Sequence, residues 1–295
     1  MSKASELKVL IKRGGMTIAP GAYDGITAKL IARAGFEAVY MTGAGTAAAH
    51  GYPDYGLLTM TEMVTNAGKI AATANLPVIA DADTGYGNEL NVVRTVHEYM
   101  RQGIAAIHIE DQVFPKKCGH LDNKEVIAVE EYIAKIRAAV DARGDSDFMI
   151  IARTDSRAVI GFEEAIARAN AALAAGADIA FVEAPQTLEE VAAVPKRVNG
   201  PCLLNVVRRG KTPVIELKDA EAMGYKLAIL PTLLFRGVIG CCEELLDEVK
   251  KGVFPAPPKD LSPHEAFQRF GSDEWDELRV RYRDGAKPSD KARVA

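Results

Sequence analysis

The chain has 295 residues, a hydrophobic content of 48% and a formal net charge of −4 at pH 7. This length suits one large domain such as a single α/β barrel, and the small negative charge argues against nucleic-acid binding. No apolar run is long enough to span a bilayer, and no apolar segment follows the charged N-terminus as it would in a secretory signal. We therefore expect no membrane or nucleic-acid partner.

The four cysteines are Cys118, Cys202, Cys241 and Cys242, and they show neither zinc-binding nor redox-motif spacing. A disulfide framework is not expected in a chain of this length. We therefore expect reduced thiols and a cytoplasmic location.

Residues 6–14 predict a short amphipathic helix. After it, short apolar runs alternate with alanine-rich helical stretches, and several of these stretches end in glycine just before the next run. The apolar runs are continuous rather than alternating in polarity, which is typical of buried parallel strands. Eight strands are predicted, at 17–20, 38–42, 78–81, 106–110, 149–153, 179–183, 203–206 and 227–230.

Eight strand–helix units predict a closed (β/α)8 barrel of the TIM type. An open doubly wound sheet is the alternative, but no Gly-x-Gly-x-x-Gly motif follows the first strand. We predict a barrel at 1–252 whose last helix covers 235–251, a C-terminal helical extension at 253–283 and a mobile tail at 284–295. The extension carries aromatic residues at helical spacing over 263–282, which fits either a helix packed on its own barrel or an oligomer contact.

The active site of such a barrel lies where the strands end. After the second strand, the N–H groups of Thr42, Gly43 and Ala44 either bind a carboxylate or form a tight turn. The third strand ends in Asp81 and Asp83, whose carboxylates suit Mg²⁺ or Mn²⁺, with a helix cap as the alternative.

The segment Lys116-Lys117-Cys118-Gly119-His120 follows the fourth strand. Because neighbouring positive charge favours a thiolate, we expect a lowered pKa for Cys118. The alternative is a solvated basic turn with an incidental cysteine. Arg153 ends the fifth strand and is either a carboxylate clamp or a structural ion-pair partner.

Acids, cations and one thiol thus gather on one rim. This composition suits a divalent cation, a small polycarboxylate and one proton donor. It indicates chemistry that makes or breaks a carbon–carbon bond next to a carboxylate.

Six motifs, at residues 81–88, 109–112, 116–120, 152–155, 183–185 and 210–213, are together highly specific. On them the chain resembles the isocitrate lyase/phosphoenolpyruvate mutase superfamily. The Lys-Lys-Cys-Gly-His segment resembles the lyase branch, and the chain is too short for a true isocitrate lyase. The resemblance therefore implies the group of 2,3-dimethylmalate lyases, 2-methylisocitrate lyases and oxaloacetate hydrolases.

The resemblance implies a Mg²⁺ cofactor, with Mn²⁺ as a substitute, and a general acid, Cys118, on a loop that closes over the substrate. Tyr40 resembles a tyrosine proposed to help deprotonate the substrate hydroxyl. The metal would be held, directly or through water, by Asp81 and Asp83, with Asp54 and Glu110 in the surrounding shell.

The resemblance also implies two substrate subsites. Thr42, Gly43, Ala44 and Arg153 would bind the pyruvate-like end. The residues expected to contact the other product or to support the site are Lys117, Gly119, His120, Glu183, Asn205 and Pro231.

The chain departs from 2-methylisocitrate lyases after Asn205. Those enzymes tend to have Thr-Glu-Phe-Gly there, whereas this chain has Val207-Arg208-Arg209-Gly210. The glutamate used near the third carboxylate is missing, which favours a dicarboxylate. Oxaloacetate hydrolases typically carry serine where this chain has Pro231.

We therefore expect a Mg²⁺-dependent lyase that cleaves a 2,3-dimethylmalate-like substrate to pyruvate and propionate. The alternative is a 2-methylisocitrate lyase that gives pyruvate and succinate. An oxaloacetate hydrolase, a phosphonate mutase or hydrolase, and a non-catalytic carboxylate-binding barrel are less favoured. The resemblance further implies a homotetramer with an exchanged C-terminal helix.

Overall fold

The computed structural model describes residues 1–283, and within them eight parallel strands close into one barrel. Each strand pairs with its neighbours in the chain, and the eighth pairs with the first. The predicted (β/α)8 barrel is therefore confirmed. The tail predicted at 284–295 lies outside the described residues. The strands are β1 (Thr17–Ala22), β2 (Val39–Met41), β3 (Val78–Asp81), β4 (Ala106–Glu110), β5 (Met149–Thr154), β6 (Ile179–Val182), β7 (Cys202–Asn205) and β8 (Leu227–Leu230).

Burial on both faces explains why the strands are continuous apolar runs. In β4, Ile107 and Ile109 belong to an apolar cluster with the surrounding helices, whereas Ala106 belongs to the cluster inside the barrel. Side chains two residues apart on a strand share a face, so His108 and Glu110 face the barrel interior with Ala106. This alternation places polar side chains at the end of the barrel where the strands terminate.

Ten helices belong to the barrel part of the described chain, and the helix predicted at 6–14 is observed as the first of them, shifted toward the N-terminus. Within residues 1–283, no helix has the length and the apolar character needed to cross a membrane. The ten helices are α1 (Lys3–Lys12), α2 (Gly25–Arg33), α3 (Gly43–Ala49), α4 (Met60–Ala74), α5 (Glu89–Arg101), α6 (Val129–Arg143), α7 (Ser156–Val159), α8 (Phe162–Ala174), α9 (Leu188–Arg197) and α10 (Leu217–Met223).

The chain divides into two compact units, one spanning Met1–Phe235 and the other beginning at Arg236. The helix predicted at 235–251 is observed as α11 (Leu233–Lys250). The continuous segment predicted at 263–282 is instead two helices, α12 (Pro263–Gln268) and α13 (Ser272–Arg283). They are separated at Gly271, whose φ of +86° is incompatible with a right-handed helix. The domain boundary predicted between 252 and 253 stays a prediction.

Candidate active site

The carboxyl ends of the strands surround a cavity of about 40 Å³. That volume holds about three water molecules, so the cavity must widen before it admits a dicarboxylate. The segment around Cys118 forms one wall of this cavity. The lining residues are Tyr40, Thr42, Ala44, Asp54, Asp81, Cys118, Gly119, His120, Arg153, Phe181, Glu183, Asn205, Val207, Ile229, Pro231 and Thr232.

Most of the predicted site residues line this cavity, and four do not: Gly43, Lys117, Asp83 and Glu110. Gly43 begins α3 and lies so close to the Asp81 carboxylate that a Cβ atom there would collide with it. Asp83 and Glu110 are buried beside the cavity. These three residues therefore lie next to the residues that line the cavity.

The Lys117 side chain is not brought into the cavity. Its Nζ donates to the carbonyl oxygen of Asn123 over 3.1 Å. The amide side chain of Gln112 holds its backbone, donating to the Lys117 carbonyl oxygen over 2.8 Å and accepting from its N–H over 3.0 Å. Lys117 thus lies on a segment fixed at the backbone, with its charge directed to the loop itself.

Lys116 lies at the centre of a buried cluster of carboxylates. Its Nζ is 2.5 Å from Oδ1 of Asp54 and 3.0 Å from Oδ1 of Asp83. Despite this ion pair, Oδ1 of Asp83 has no hydrogen bond of acceptable geometry within residues 1–283, and neither carboxylate oxygen of Glu110 has one there. Unsatisfied hard oxygen atoms of this kind are the ligands that Mg²⁺ and Mn²⁺ prefer.

The two aspartates at the end of β3 have different pKa values because their charged neighbours differ. Burial raises the pKa of Asp83 to about 6, although Lys116 opposes the rise. Burial also opposes ionisation of Asp81, but His108 and two cationic side chains lower the pKa of Asp81 overall. One carboxylate of the pair is therefore fully ionised at neutral pH, while the other titrates much closer to it.

The cluster around the cavity carries more carboxylates than cations. Six carboxylates face three cations, and burial raises the pKa of Glu110 well above its usual range. An added cation would favour the ionised form of these buried carboxylates. Among residues 1–283, no three His, Cys, Asp or Glu side chains form a ready-made metal cage. The cations are Lys116, Lys124 and Arg153, and the carboxylates are Asp54, Asp81, Asp83, Glu110, Asp155 and Glu183.

Arg153 is held rigidly near the end of β5. Its Nε donates to Oδ2 of Asp155 over 2.9 Å, and its NH1 lies 2.9 Å from Oε2 of Glu110. Burial alone would lower the pKa of Arg153, but Asp155, Glu110 and Glu183 together raise it. The guanidinium carbon also lies 5.2 Å from the centre of the Phe181 ring. A charged guanidinium of fixed orientation on the cavity wall suits a carboxylate clamp.

The lowered pKa expected for Cys118 is wrong. Burial raises its pKa to about 11, and the negative charge of Asp54 adds to the rise. The expectation fails because the ammonium group of Lys116 pairs with Asp54 and Asp83 rather than with the thiol. The thiol nevertheless lines the cavity, and at neutral pH it is protonated, which is the state that a proton donor requires.

His120 is oriented by partners on both ring nitrogens. Its Nδ1 accepts from the backbone N–H of Lys211 over 3.0 Å, so in the neutral ring the proton is on Nε2. That atom lies 3.1 Å from Oε1 of Glu183, which also accepts from the amide group of Asn205 over 3.2 Å. Glu183 therefore fixes two polar side chains at the cavity wall.

Three residues that belong to this constellation are absent from the predicted site: His108, Lys124 and Asp155. His108 is fully buried, and its Nε2 lies 2.8 Å from the hydroxyl of Tyr40. Its spacing of two from Glu110 is the sequence signal that it faces the barrel interior. Asp155 pairs with Lys124 over 2.7 Å. A lysine in a polar loop is usually exposed, so no local pattern indicates Lys124.

Comparison with known proteins gives the family. The family model for phosphoenolpyruvate phosphomutase matches residues 7–250. The chain belongs to the PEP mutase/isocitrate lyase superfamily. It is 51% identical over 233 residues to the 2,3-dimethylmalate lyase of Eubacterium barkeri, a match that covers 79% of this chain and 81% of that protein. It is 46% identical over 243 residues to a 2-methylisocitrate lyase of Aeropyrum pernix, and this match covers 82% of this chain and 78% of that protein.

Solved structures of this superfamily agree with the fold. A crystal structure of 2,3-dimethylmalate lyase matches with a TM-score of 0.90 and 40% identity, over 100% of this chain and 99% of that one. A phosphonopyruvate hydrolase in complex with oxalate and Mg²⁺ matches with a TM-score of 0.85 and 31% identity, over 96% and 99% of the two chains. The predicted membership of the superfamily, on its lyase side, and the predicted enzyme class are confirmed.

Proposed function

We propose that this chain is a Mg²⁺-dependent carbon–carbon lyase that cleaves a substituted 2-hydroxy dicarboxylate, of the 2,3-dimethylmalate type, to pyruvate and a short carboxylate such as propionate. The observation that carries the proposal is one cavity lined by a protonated thiol, Cys118, and a fixed guanidinium, Arg153, beside a cluster of hard oxygen ligands. The 51% identity to a 2,3-dimethylmalate lyase supports the choice of substrate.

The proposed cofactor is Mg²⁺, with Mn²⁺ as a substitute. The residues fit such an ion because the cluster has more carboxylates than cations and unsatisfied oxygen atoms on Asp83 and Glu110. Asp81 and Asp83 would hold it, directly or through water, with Asp54 and Glu110 in the surrounding shell. When bound, the ion supplies positive charge beside the carboxylate and hydroxyl oxygens of the substrate. The relative crystallised with oxalate and Mg²⁺ supports this assignment.

The pyruvate half of the substrate would lie between α3 and Arg153. Thr42 caps α3 by accepting from the N–H of Gly45, so the N–H groups of Gly43 and Ala44 remain for a carboxylate at the N-terminus of the helix. Arg153 would bind the same carboxylate from the opposite wall. This placement fixes the hydroxyl-bearing carbon that becomes the keto carbon, C2, of pyruvate.

Tyr40 would take the proton of the substrate hydroxyl. Burial and the charge of Asp81 raise the pKa of Tyr40, so a free phenolate is not accessible. His108 offers an acceptor, because its ring is neutral, with a pKa lowered to about 4 by burial, and its Nε2 lies 2.8 Å from the Tyr40 hydroxyl. The carboxylate of Asp81, 3.6 Å from the same nitrogen, would offset the charge of the transient imidazolium. Tyr40 would therefore pass its own proton to Nε2 of His108 as it receives the proton of the substrate.

Cys118 would protonate the departing carbon. Breaking the C2–C3 bond leaves an electron pair on C3, next to the second carboxylate, and the thiol proton neutralises it to give propionate. The resulting thiolate recovers the proton that the hydroxyl gave up. Gly119, His120 and Asn205 would contact the second carboxylate, while Glu183 holds His120 and Asn205 in place.

A dicarboxylate is favoured over 2-methylisocitrate by an apolar residue on the cavity wall. Val207 lines the cavity there. The nearby cation Lys211 is committed to Asp122, 2.5 Å from its Nζ, rather than to the cavity. A third carboxylate directed at Val207 would therefore meet an apolar side chain. The 46% identity to a 2-methylisocitrate lyase keeps that substrate as the alternative.

The test is a panel of acids assayed for pyruvate release in Mg²⁺ and in excess chelator. We expect turnover of 2,3-dimethylmalate that stops in chelator, with a much lower kcat/KM for 2-methylisocitrate. Preferred cleavage of 2-methylisocitrate would establish the alternative. Turnover of oxaloacetate or of a phosphonate alone would replace the lyase by a hydrolase or mutase. Carboxylate binding without any turnover would indicate a non-catalytic barrel.

We further propose a cytoplasmic homotetramer with an exchanged C-terminal helix. The support is the apolar surface of the second unit, where Phe254, Phe267, Trp275 and Tyr282 are all largely exposed. Light scattering of the purified chain tests the tetramer. A chain ending at residue 252 should lose the tetrameric mass if the extension makes the contact, and an unchanged mass would reject that role.

A further inference from the structure

The strongest unexplained feature of the site is a buried lysine that follows the Cys118 loop. The side chain of Lys124 is 1% exposed. Its Nζ donates to the carbonyl oxygen of Gly119 and, over 2.7 Å, to Oδ1 of Asp155. A buried ammonium group is costly unless charged and polar partners offset it, so both contacts hold this side chain in place.

Asp155 shares its carboxylate between Lys124 and Arg153. Arg153 donates from Nε to Oδ2 over 2.9 Å and from NH2 to Oδ1 over 3.3 Å. The backbone N–H of Asp155 is fixed in turn by Oδ1 of Asp111, over 2.7 Å. Asp155 is thus a rigid link between the lysine and the carboxylate clamp.

Gly119 contacts both Lys124 and Arg153. A Cβ atom at this position would lie 2.6 Å from NH2 of Arg153. The loop backbone therefore rests directly against the guanidinium group that Asp155 orients. Lys124 joins the carbonyl side of the same glycine to the same aspartate.

We propose that Lys124 is a positioning residue that latches the closed Cys118 loop to the Arg153 clamp through Asp155. In this arrangement the proton donor covers the cavity only while the clamp has its carboxylate-binding orientation. The latch adds to the proposed lyase function. The contact that holds the loop closed does not depend on which acid is the substrate. Lys124 touches neither the cavity nor the reacting atoms.

The test is peptide-resolved alkylation of the cysteines at pH 8.5 in wild type and in Lys124→Met. Loss of the latch should expose Cys118 and raise its labelling rate about tenfold or more, since hydrogen bonds to charged groups are the stronger ones. Exposed Cys242 and buried Cys202 are internal controls whose rates should not change. Lys135→Met is the matched variant, because Lys135 is also buried but donates to the carbonyl oxygen of Thr84.

Labelling of Cys118 at the wild-type rate in Lys124→Met would overturn the proposal. If Cys202 also becomes reactive, the barrel itself has opened. The milder variant Lys124→Gln, which loses the charge that pairs with Asp155, is then used, and it too must label Cys118 faster than wild type. With 2,3-dimethylmalate and Mg²⁺, the latch predicts a larger fall in kcat than rise in KM for Lys124→Met. Faster labelling without any turnover in wild type would reject the substrate while leaving the latch intact.

Discussion

The hydroxyl of Tyr40 lies 2.8 Å from Nε2 of His108, and both side chains are buried inside the barrel. Within residues 1–283, Nδ1 of His108 has no hydrogen-bond partner. In the tautomer that carries its proton on Nδ1, Nε2 accepts the hydrogen bond from the Tyr40 hydroxyl. In the proposed reaction, this pair would move a proton away from the cavity without leaving a buried phenolate.

This relationship predicts the effect of Tyr40→Phe. The ring remains to pack against His108, but the hydroxyl that carries the proton is lost, and kcat should fall by about 10²–10⁴-fold. Steady-state kinetics with the preferred substrate measure the loss. Tyr225→Phe is the matched control, since it removes another buried hydroxyl, which donates to the carbonyl oxygen of Val191 away from the cavity. A wild-type kcat in Tyr40→Phe would exclude the relay.

Gly119→Ala should prevent the loop from closing. The added Cβ would lie 2.6 Å from NH2 of Arg153 and 2.6 Å from Cγ of Glu183, so the loop must lift from the clamp. We expect kcat to fall at least about tenfold, while the melting temperature changes little because the collision is relieved at the rim. Gly14→Ala is the control, because an added Cβ there meets nothing within 4 Å. Equal activity of both variants would show that close approach of the loop is unnecessary.

Asp83→Asn should stabilise the protein when no cation is present. Burial raises the folded-state pKa of Asp83 to about 6, above the value of an unfolded aspartate. Its ionisation therefore opposes folding increasingly as the pH rises from about 4 to 6. Above that range the penalty is full, on the order of 3 kcal/mol.

Thermal melting at pH 7.5 checks this prediction. In chelator, Asp83→Asn should melt above wild type, and added Mg²⁺ should stabilise wild type but not the variant. Asp122→Asn, an identical change at an exposed carboxylate, should behave as wild type in both conditions. Equal stabilisation of Asp83→Asn and wild type by Mg²⁺ would remove Asp83 from the cation site.

The raised pKa of Cys118 predicts its reactivity. Because burial raises this pKa to about 11, the thiolate fraction at pH 7 is very small, and alkylation should continue to accelerate well beyond pH 9. Peptide-resolved labelling between pH 7 and 11 measures the profile. A plateau reached below pH 8 would mean that the neighbouring cations do lower the pKa, as the sequence alone suggests.

The sequence is informative where a local pattern has one structural outcome. Continuous aliphatic runs predict all eight strands because each is buried on both faces. Closure of the barrel brings the residues at the strand ends together, among them Asp81 and Arg153, independently of the conformation of the loops.

Local sequence patterns do not predict contacts or pKa values that depend on residues distant in the chain. Burial and the charge of Asp54 raise the pKa of Cys118, and the pairing of Asp54 with Lys116 spans 62 residues. The pairing of Lys124 with Asp155 spans 31 residues. No spacing rule connects such residues, so only the folded chain shows which charge faces which.

Deuterium in the propionate product tests the central claim most directly. Wild type should convert 2,3-dimethylmalate in D₂O with Mg²⁺ to propionate carrying one deuterium at C2 in a single configuration, because Cys118 delivers it from one wall of the cavity. Cys118→Ser, a weaker acid at the same place, should give the product far more slowly. NMR of a chiral ester reports the configuration. Racemic label, or no propionate at all, would contradict enzymatic cleavage with protonation by Cys118.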